Sequence, residues 1–150
     1  MTETIVRPLS AEDAGVWRKL WTEYLQFYES AVSEEVYETT FNRLLDPDVQ
    51  DFHARVAARD SRVIGLVHYI FHGHGWRVEQ VTYLQDLYVE KAARGTGAGA
   101  ALIQAVYDAA DAADRPSVYW MTQDFNAPAR RLYDQVGQVT PFIKYQRPPR

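Results

Sequence analysis

Apolar residues recur at helical spacing near the start of the chain. Val16, Trp17, Leu20, Tyr24, Phe27 and Tyr28 fall on one stripe. Ser10, followed three residues later by Asp13, forms a capping box with Asp in place of Glu and predicts a helix beginning there. Before it, Thr4–Leu9 reads as a short strand that Pro8 keeps near an edge or an end. Val36, Tyr37, Phe41, Leu44 and Leu45 make a second stripe, so a helix is expected from about Glu34 to Leu45, stopping before Pro47. Phe52–Ala58 and Arg62–Phe71 then read as strands joined by the turn Asp60-Ser61. His72-Gly73-His74-Gly75 is a loop, and a strand is expected over Val78–Val89. Ala100–Ala113 carries a helical core stripe of Leu102, Val106, Ala109 and Ala113. Past Pro116 come a strand over Ser117–Thr122, a helix capped by Asn126 with Pro128 in its first turn and Gly137 at its close, and a last strand over Phe142–Gln146 before a basic, proline-rich tail.

Hairpin-connected strands give way to strand–helix–strand. The order predicts an α/β fold in which a mostly antiparallel mixed sheet gains a parallel pair late in the chain, with helices on both faces. No repeat, low-complexity stretch or long linker divides the sequence, so one domain over residues 1–150 is expected.

Between the expected strand and helix lies Arg94-Gly95-Thr96-Gly97-Ala98-Gly99. Glycines at the mouth of a helix let a ligand approach the backbone, where unpaired N–H groups and the positive end of the helix dipole favour phosphate. A P-loop would need Lys and then Ser or Thr after the last glycine, and Ala100 and Ala101 stand there instead. A dinucleotide fingerprint would need Gly-x-Gly-x-x-Gly near the start of the fold, whereas Gly95, Gly97 and Gly99 alternate. The loop on its own is also compatible with a structural turn.

The spacing Arg94-x-x-Gly97-x-Gly99 resembles the pyrophosphate loop of the GNAT superfamily of acetyl-coenzyme A-dependent N-acetyltransferases. Its surroundings extend the likeness: Tyr83-Leu84-Gln85-Asp86-Leu87-Tyr88-Val89-Glu90 before the loop, and Asn126-Ala127-Pro128-Ala129-Arg130-Arg131-Leu132-Tyr133 after it. Together with Arg7-Pro8, the aromatic cluster Tyr24, Phe27 and Tyr28, and the order of elements, the resemblance covers almost the whole chain. It is closest to the spermidine/spermine (diamine) branch and to small histone-acetyltransferase-like proteins.

The resemblance implies acetyl-CoA as co-substrate, attacked directly by a primary amine in a ternary complex. Gly95, Thr96, Gly97, Ala98, Gly99 and Ala100 would offer backbone N–H groups to the pyrophosphate, and Arg94 its charge. Leu87, Tyr88 and Val89 would pair through backbone with the pantetheine arm, and Asn126 and Ala129 would contact the coenzyme. For Asn126, helix capping explains the residue equally well. Phe27, Tyr28 and Glu29, with Gln85 and Asp86, would line the amine site, although core packing explains the aromatic residues equally well.

Two residues carry the expected chemistry. Tyr133, a phenol of pKa ~10, suits protonation of the departing thiolate, against the alternative of a tyrosine packed beside Leu132 and Val136. Asp86 is an acid inside an apolar strand, costly to bury without a partner: it either activates the amine or fixes a loop or a histidine. Where the diamine branch places adjacent Glu and Asp, this chain has Gln85-Asp86, and Gln85 cannot act as a base.

Composition narrows the picture. With no cysteine, a disulfide framework, a cysteine-ligated metal and a thiol nucleophile are excluded, and a reducing cytosol is a natural home. His72-x-His74 lacks a completing acidic or cysteine cluster, so no metal is expected, and Trp76 and the other tryptophans are expected in the core. A net charge of -4 argues against a nucleic-acid partner and suits a cationic substrate. No apolar run reaches the ~20 residues of a membrane span, and Met1-Thr2-Glu3-Thr4 has no signal-peptide character, so the cytoplasm and no membrane partner are expected. A homodimer is expected chiefly from the resemblance. The favoured activity is acetylation of a small-molecule amine such as a polyamine or amino acid. Acetylation of a protein lysine or N-terminus, and a non-catalytic CoA-binding sensor, are the alternatives.

Overall fold

A computed structural model describes residues 3–150. Among them, five strands form one sheet in the order β1 (Ile5–Pro8), β2 (Phe52–Arg59), β3 (Arg62–His72), β4 (Val81–Val89) and β5 (Val118–Tyr119). The first four pair antiparallel, and β4 and β5 pair parallel. The helices are α1 (Ala14–Phe27), α2 (Glu34–Leu45), α3 (Ala98–Ala112) and α4 (Ala127–Val136).

Alternation along the strands divides the core in two, because successive side chains point to opposite faces. Val56 and Leu66 face Trp17, Leu20 and Trp21 of α1, with Tyr37, Phe41 and Leu44 of α2 packed against that cluster. Their neighbours Ala57 and Val67 face Leu102, Ile103 and Val106 of α3, with Leu132 and Tyr133 of α4 alongside. Helices therefore cover both faces, as expected. The α1 start also follows the sequence, though its first turn, Ala11–Asp13, is a 3-10 helix: the Asp13 carboxylate accepts the Ser10 N–H at 2.8 Å and two hydrogen bonds from Arg7 at 2.8 and 2.9 Å. The α3 stripe is wider than periodicity suggested. Ile103 and Ala110 are buried with Leu102 and Val106, while Ala109 and Ala113 pack at the margin.

Several expectations are corrected. Phe142–Gln146 forms no strand, and Phe142, Ile143 and Tyr145 are exposed. Strand-forming residues need an edge to pair with, and this segment meets none. Trp76 is 88% exposed rather than core, because it lies in the turn between β3 and β4 beyond the reach of either helix layer. That turn is also why β4 starts at Val81 and leaves Val78 outside it. The strand over Ser117–Thr122 shrinks to Val118–Tyr119, since its pairing with β4 stops at Tyr83. Gly137 ends α4 with extended backbone, not the left-handed conformation of a glycine cap.

One glycine is required for close approach. A Cβ on Gly65 would lie 2.9 Å from the Tyr88 carbonyl oxygen and 3.2 Å from both Leu102 Cδ1 and Val89 Cγ2. Backbone cannot step aside as a side-chain end can. Gly65→Ala is expected to destabilise the protein by about 1–3 kcal/mol, the usual range for overpacking. Urea denaturation checks this, and an unchanged midpoint would refute it.

Candidate active site

The sheet opens where β4 and β5 part. Their pairing is confined to Thr82 with Val118 and Tyr83 with Tyr119, so β4 runs on to Val89 with no strand beyond it on that side. The gap is the mouth of a cleft of about 490 Å³, walled by the end of α1, the second half of β4, the glycine loop and α4. A crevice at the carboxyl ends of parallel strands is where α/β proteins place ligands.

The glycine loop forms one end. Gly95 and Gly97 have φ of 77° and 89°, in the left-handed region, and Gly97 caps α3 without a side chain. The first bond of α3 near the loop is from Ala101 N–H to the Gly97 carbonyl, at 3.0 Å. The preceding N–H groups of Ala98, Gly99 and Ala100 have no earlier turn to bond, so they face outward at the positive end of the dipole. Arg94 stands at the rim, its Nε donating to the Val89 carbonyl at 3.0 Å and its guanidinium 5.4 Å from the Tyr88 ring centroid.

On the far wall, Asn126 Oδ1 accepts the Ala129 N–H at 3.3 Å and caps α4. Seven residues on, two helical turns bring Tyr133 to the same wall, against Trp120 at 5.6 Å between ring centroids. Burial pushes the Tyr133 pKa up to about 12, with a smaller contribution from Tyr28. The phenol is therefore a proton donor at any physiological pH.

Asp86 is only 6% exposed and does not line the cleft. A bulge explains its position: His68 pairs with Asp86 and Tyr69 with Leu84, leaving Gln85 as the extra residue, exposed. The bulge keeps Asp86 on the α1 face. There its Oδ2 lies 2.8 Å from His68 Nδ1 and accepts from Trp21 Nε1 at 3.2 Å. Trp17 Nε1 lies 2.9 Å from His68 Nε2. An indole nitrogen can only donate, so Nε2 is the acceptor and the proton of the neutral ring sits on Nδ1, donated to Asp86.

Of the residues singled out by sequence, Phe27, Tyr28, Leu87, Tyr88, Val89, Arg94, Gly95, Gly97, Ala98, Gly99, Ala100, Asn126, Ala129 and Tyr133 line one cleft. Thr96, Glu29, Gln85 and Asp86 do not. Thr96 turns inward to the Ala93 carbonyl, and Glu29 is exposed in a left-handed turn after α1, at φ 55°. Tyr24 and Leu132 also line the cleft; both stand in the stretches that carry the family resemblance, which gives neither a role. His68 carried no sequence signal, because the register that sets it beside Asp86 is a property of the sheet. Among the described residues no group of three metal-ligating side chains gathers, and no helix is long and apolar enough to cross a membrane.

A mixed sheet split after its parallel pair, with a bare helix N-terminus at one end of the split and a buried phenol on its wall, defines the class: an α/β protein with a cleft at the split edge of its sheet. The sequence model of the Acetyltransferase (GNAT) family matches residues 17–138, and the chain belongs to that family of N-acetyltransferases. A D-amino-acid N-acetyltransferase of Saccharomyces cerevisiae is 39% identical over 144 residues, spanning 95% of this chain and 89% of the yeast enzyme. Two solved structures share the fold. An aminoglycoside N-acetyltransferase in complex with CoA superposes with a TM-score of 0.84 at 15% identity, over 99% of this chain and 96% of its own. The ribosomal-protein-alanine N-acetyltransferase of Brucella melitensis gives 0.79 at 19% identity, over 97% and 99%.

Proposed function

We propose that the protein transfers the acetyl group of acetyl-CoA to the primary amine of a small molecule, by direct attack in a ternary complex. The observation that carries this reading is the single cleft joining the α3 N-terminus, the unpaired edge of β4 and Tyr133. The residues fit the coenzyme. The N–H groups of Ala98, Gly99 and Ala100 would hold the pyrophosphate, and the open edge at Leu87, Tyr88 and Val89 offers backbone donors and acceptors to the pantetheine amides. Held there, the thioester presents an acetyl carbon to the amine. Holding both reactants in line supplies much of the acceleration, and Tyr133 supplies the proton the departing thiolate needs.

The kinship with a D-amino-acid acetyltransferase supports an amino acid as the acceptor class. A diamine has less support, since Gln85 is exposed and uncharged where the diamine branch carries an acid. Aromatic walls at Phe27, Tyr28 and Tyr88 suit an ammonium group. Release of CoA, assayed with D- and L-amino acids, spermidine and a lysine peptide, tests the proposal. Amino-acid turnover is the expected result. A preference for the peptide would move the acceptor to protein, and no turnover with any amine would favour a CoA-binding sensor.

The protein is also proposed to be a homodimer. Phe142, Ile143 and Tyr145 lie exposed on an extended arm after α4, and apolar side chains at such density favour burial against another surface. Light scattering is expected to give twice the chain mass, and a monomer at micromolar concentration would refute it.

A further inference from the structure

The charged side chains that line the cleft are Arg94 and Arg131, and no carboxyl group lines it. Asp86 stays outside that lining, and its hydrogen bonds run to α1 and β3 instead. Trp21 Nε1 donates to Asp86 Oδ2 at 3.2 Å, and His68 Nδ1 donates to the same oxygen at 2.8 Å. Trp17 Nε1 donates to His68 Nε2 at 2.9 Å. Two indoles of α1 are thus tied, one directly and one through a histidine, to a single carboxyl oxygen of the sheet. Trp17 and Trp21 are four residues apart, so both ties leave the same face of the helix. Their rings are buried and stack at 5.2 Å between centroids. Apolar burial is not directional, but a hydrogen bond is, so these bonds fix the place of α1 where packing alone would let it slide.

The same face of α1 continues into the cleft. Tyr24 and Tyr28 stand three and seven residues after Trp21, and both line the cleft together with Phe27. Tyr28 packs against Tyr24 and against Phe27, each at 5.1 Å between centroids. Tyr24 lies edge-on to Tyr88 of β4 at 6.4 Å, and its hydroxyl donates to the Gln85 carbonyl at 3.5 Å. The bulge at Gln85 therefore meets α1 twice, through its own carbonyl and through the Asp86 side chain that it keeps on the α1 face.

We propose that Asp86 and His68 are positioning residues for the acceptor. Through the two indoles they fix where α1 stands on the sheet, and with it the gap between β4 and the wall of Tyr24, Phe27 and Tyr28 in which the amine is held. Asp86 exchanges no proton with the substrate in this role. The wall it sets presents aromatic faces and no anion, so the amine is recognised by shape and by cation–π contact, without an ion pair.

This role rests on the amine being bound in the cleft, as proposed above. Trp21→Phe tests it, because it keeps an aromatic ring in the core and deletes the N–H. The KM of the preferred amine is expected to rise about fivefold to tenfold, the scale of one buried hydrogen bond, with kcat within about twofold of wild type. Acetyl-CoA affinity by calorimetry, and the shape of the pH profile of kcat/KM, should not change. Asp86→Asn is the conservative counterpart. Both bonds end on one oxygen, and an amide oxygen has two lone pairs to accept both. That variant is expected to keep kcat/KM within about tenfold of wild type at every pH, while Asp86→Ala, which removes the acceptor, should raise the amine KM at least as far as Trp21→Phe. A general base at this position behaves otherwise: Asp86→Asn would lose about 10²–10⁴-fold in kcat, as Asp86→Ala would. That result, or an amine KM unmoved by Trp21→Phe, would overturn the positioning role and leave the acetyltransferase reading intact. A wild type inert toward every amine would overturn both. If Asp86→Ala does not fold, Trp21→Phe and Asp86→Asn decide.

Discussion

Tyr133→Phe is expected to lower kcat by about 10²–10⁴-fold, the usual contribution of a positioned acid, while acetyl-CoA binding stays within twofold. The ring fills the same space against Trp120, so stability should hardly change. Only the proton for the thiolate is lost. The sign of the pKa shift gives a second check. An ordinary phenol is half-ionised near pH ~10, but burial holds Tyr133 protonated to about 12. Wild-type kcat should therefore show no alkaline loss from this residue up to pH ~10, where an unshifted tyrosine would already have halved the rate. Steady-state kinetics against pH, with calorimetry for the coenzyme, measures both. A variant with wild-type turnover would reduce Tyr133 to a packing residue.

Gly97→Asp is expected to weaken acetyl-CoA binding at least about tenfold, or ~1.4 kcal/mol. Two effects act together. A residue at φ 89° is strained by any Cβ, although the surrounding space is open. The larger effect is charge, because the carboxylate would occupy the helix N-terminus that the pyrophosphate needs. Asp is itself a favoured helix cap, so α3 should stay folded and circular dichroism should not change. Gly97→Asn separates the two causes: it carries the same shape and backbone strain without the charge, and should recover most of the affinity. Equal affinity in wild type and Gly97→Asp would remove the pyrophosphate from this loop.

Both predictions concern residues that were legible from sequence, and the reason is local. The glycine loop is a contiguous stretch whose spacing matches a helix start. Asn126 and Tyr133 lie on a single amphipathic helix, where seven residues return to the same face. The α1 and α2 stripes and the β2–β3 hairpin are likewise short-range patterns, the parallel β4–β5 pair follows from the strand–helix–strand order, and the structure has all of them. The expected final strand fails for the complementary reason. Phe142–Gln146 has strand-like residues, but a strand exists only where an edge accepts its hydrogen bonds. Trp76 fails in the same way, since hydrophobicity says what a residue prefers and not whether a neighbouring surface is there to bury it.

Periodicity, capping and loop spacing, all carried by residues within a dozen positions of each other, determined the order of elements, the helix whose N-terminus opens on the cleft and the wall that bears Tyr133. Tertiary structure alone decided the surroundings of Asp86. Trp17 and Trp21 come from the first helix, His68 from the third strand and Asp86 from the fourth, up to 65 residues apart. They meet because one extra residue at Gln85 keeps Asp86 on the α1 face, outside the cleft lining. A one-residue change of register moves a strand's side chains to the other face, and only the assembled sheet decides where that change falls.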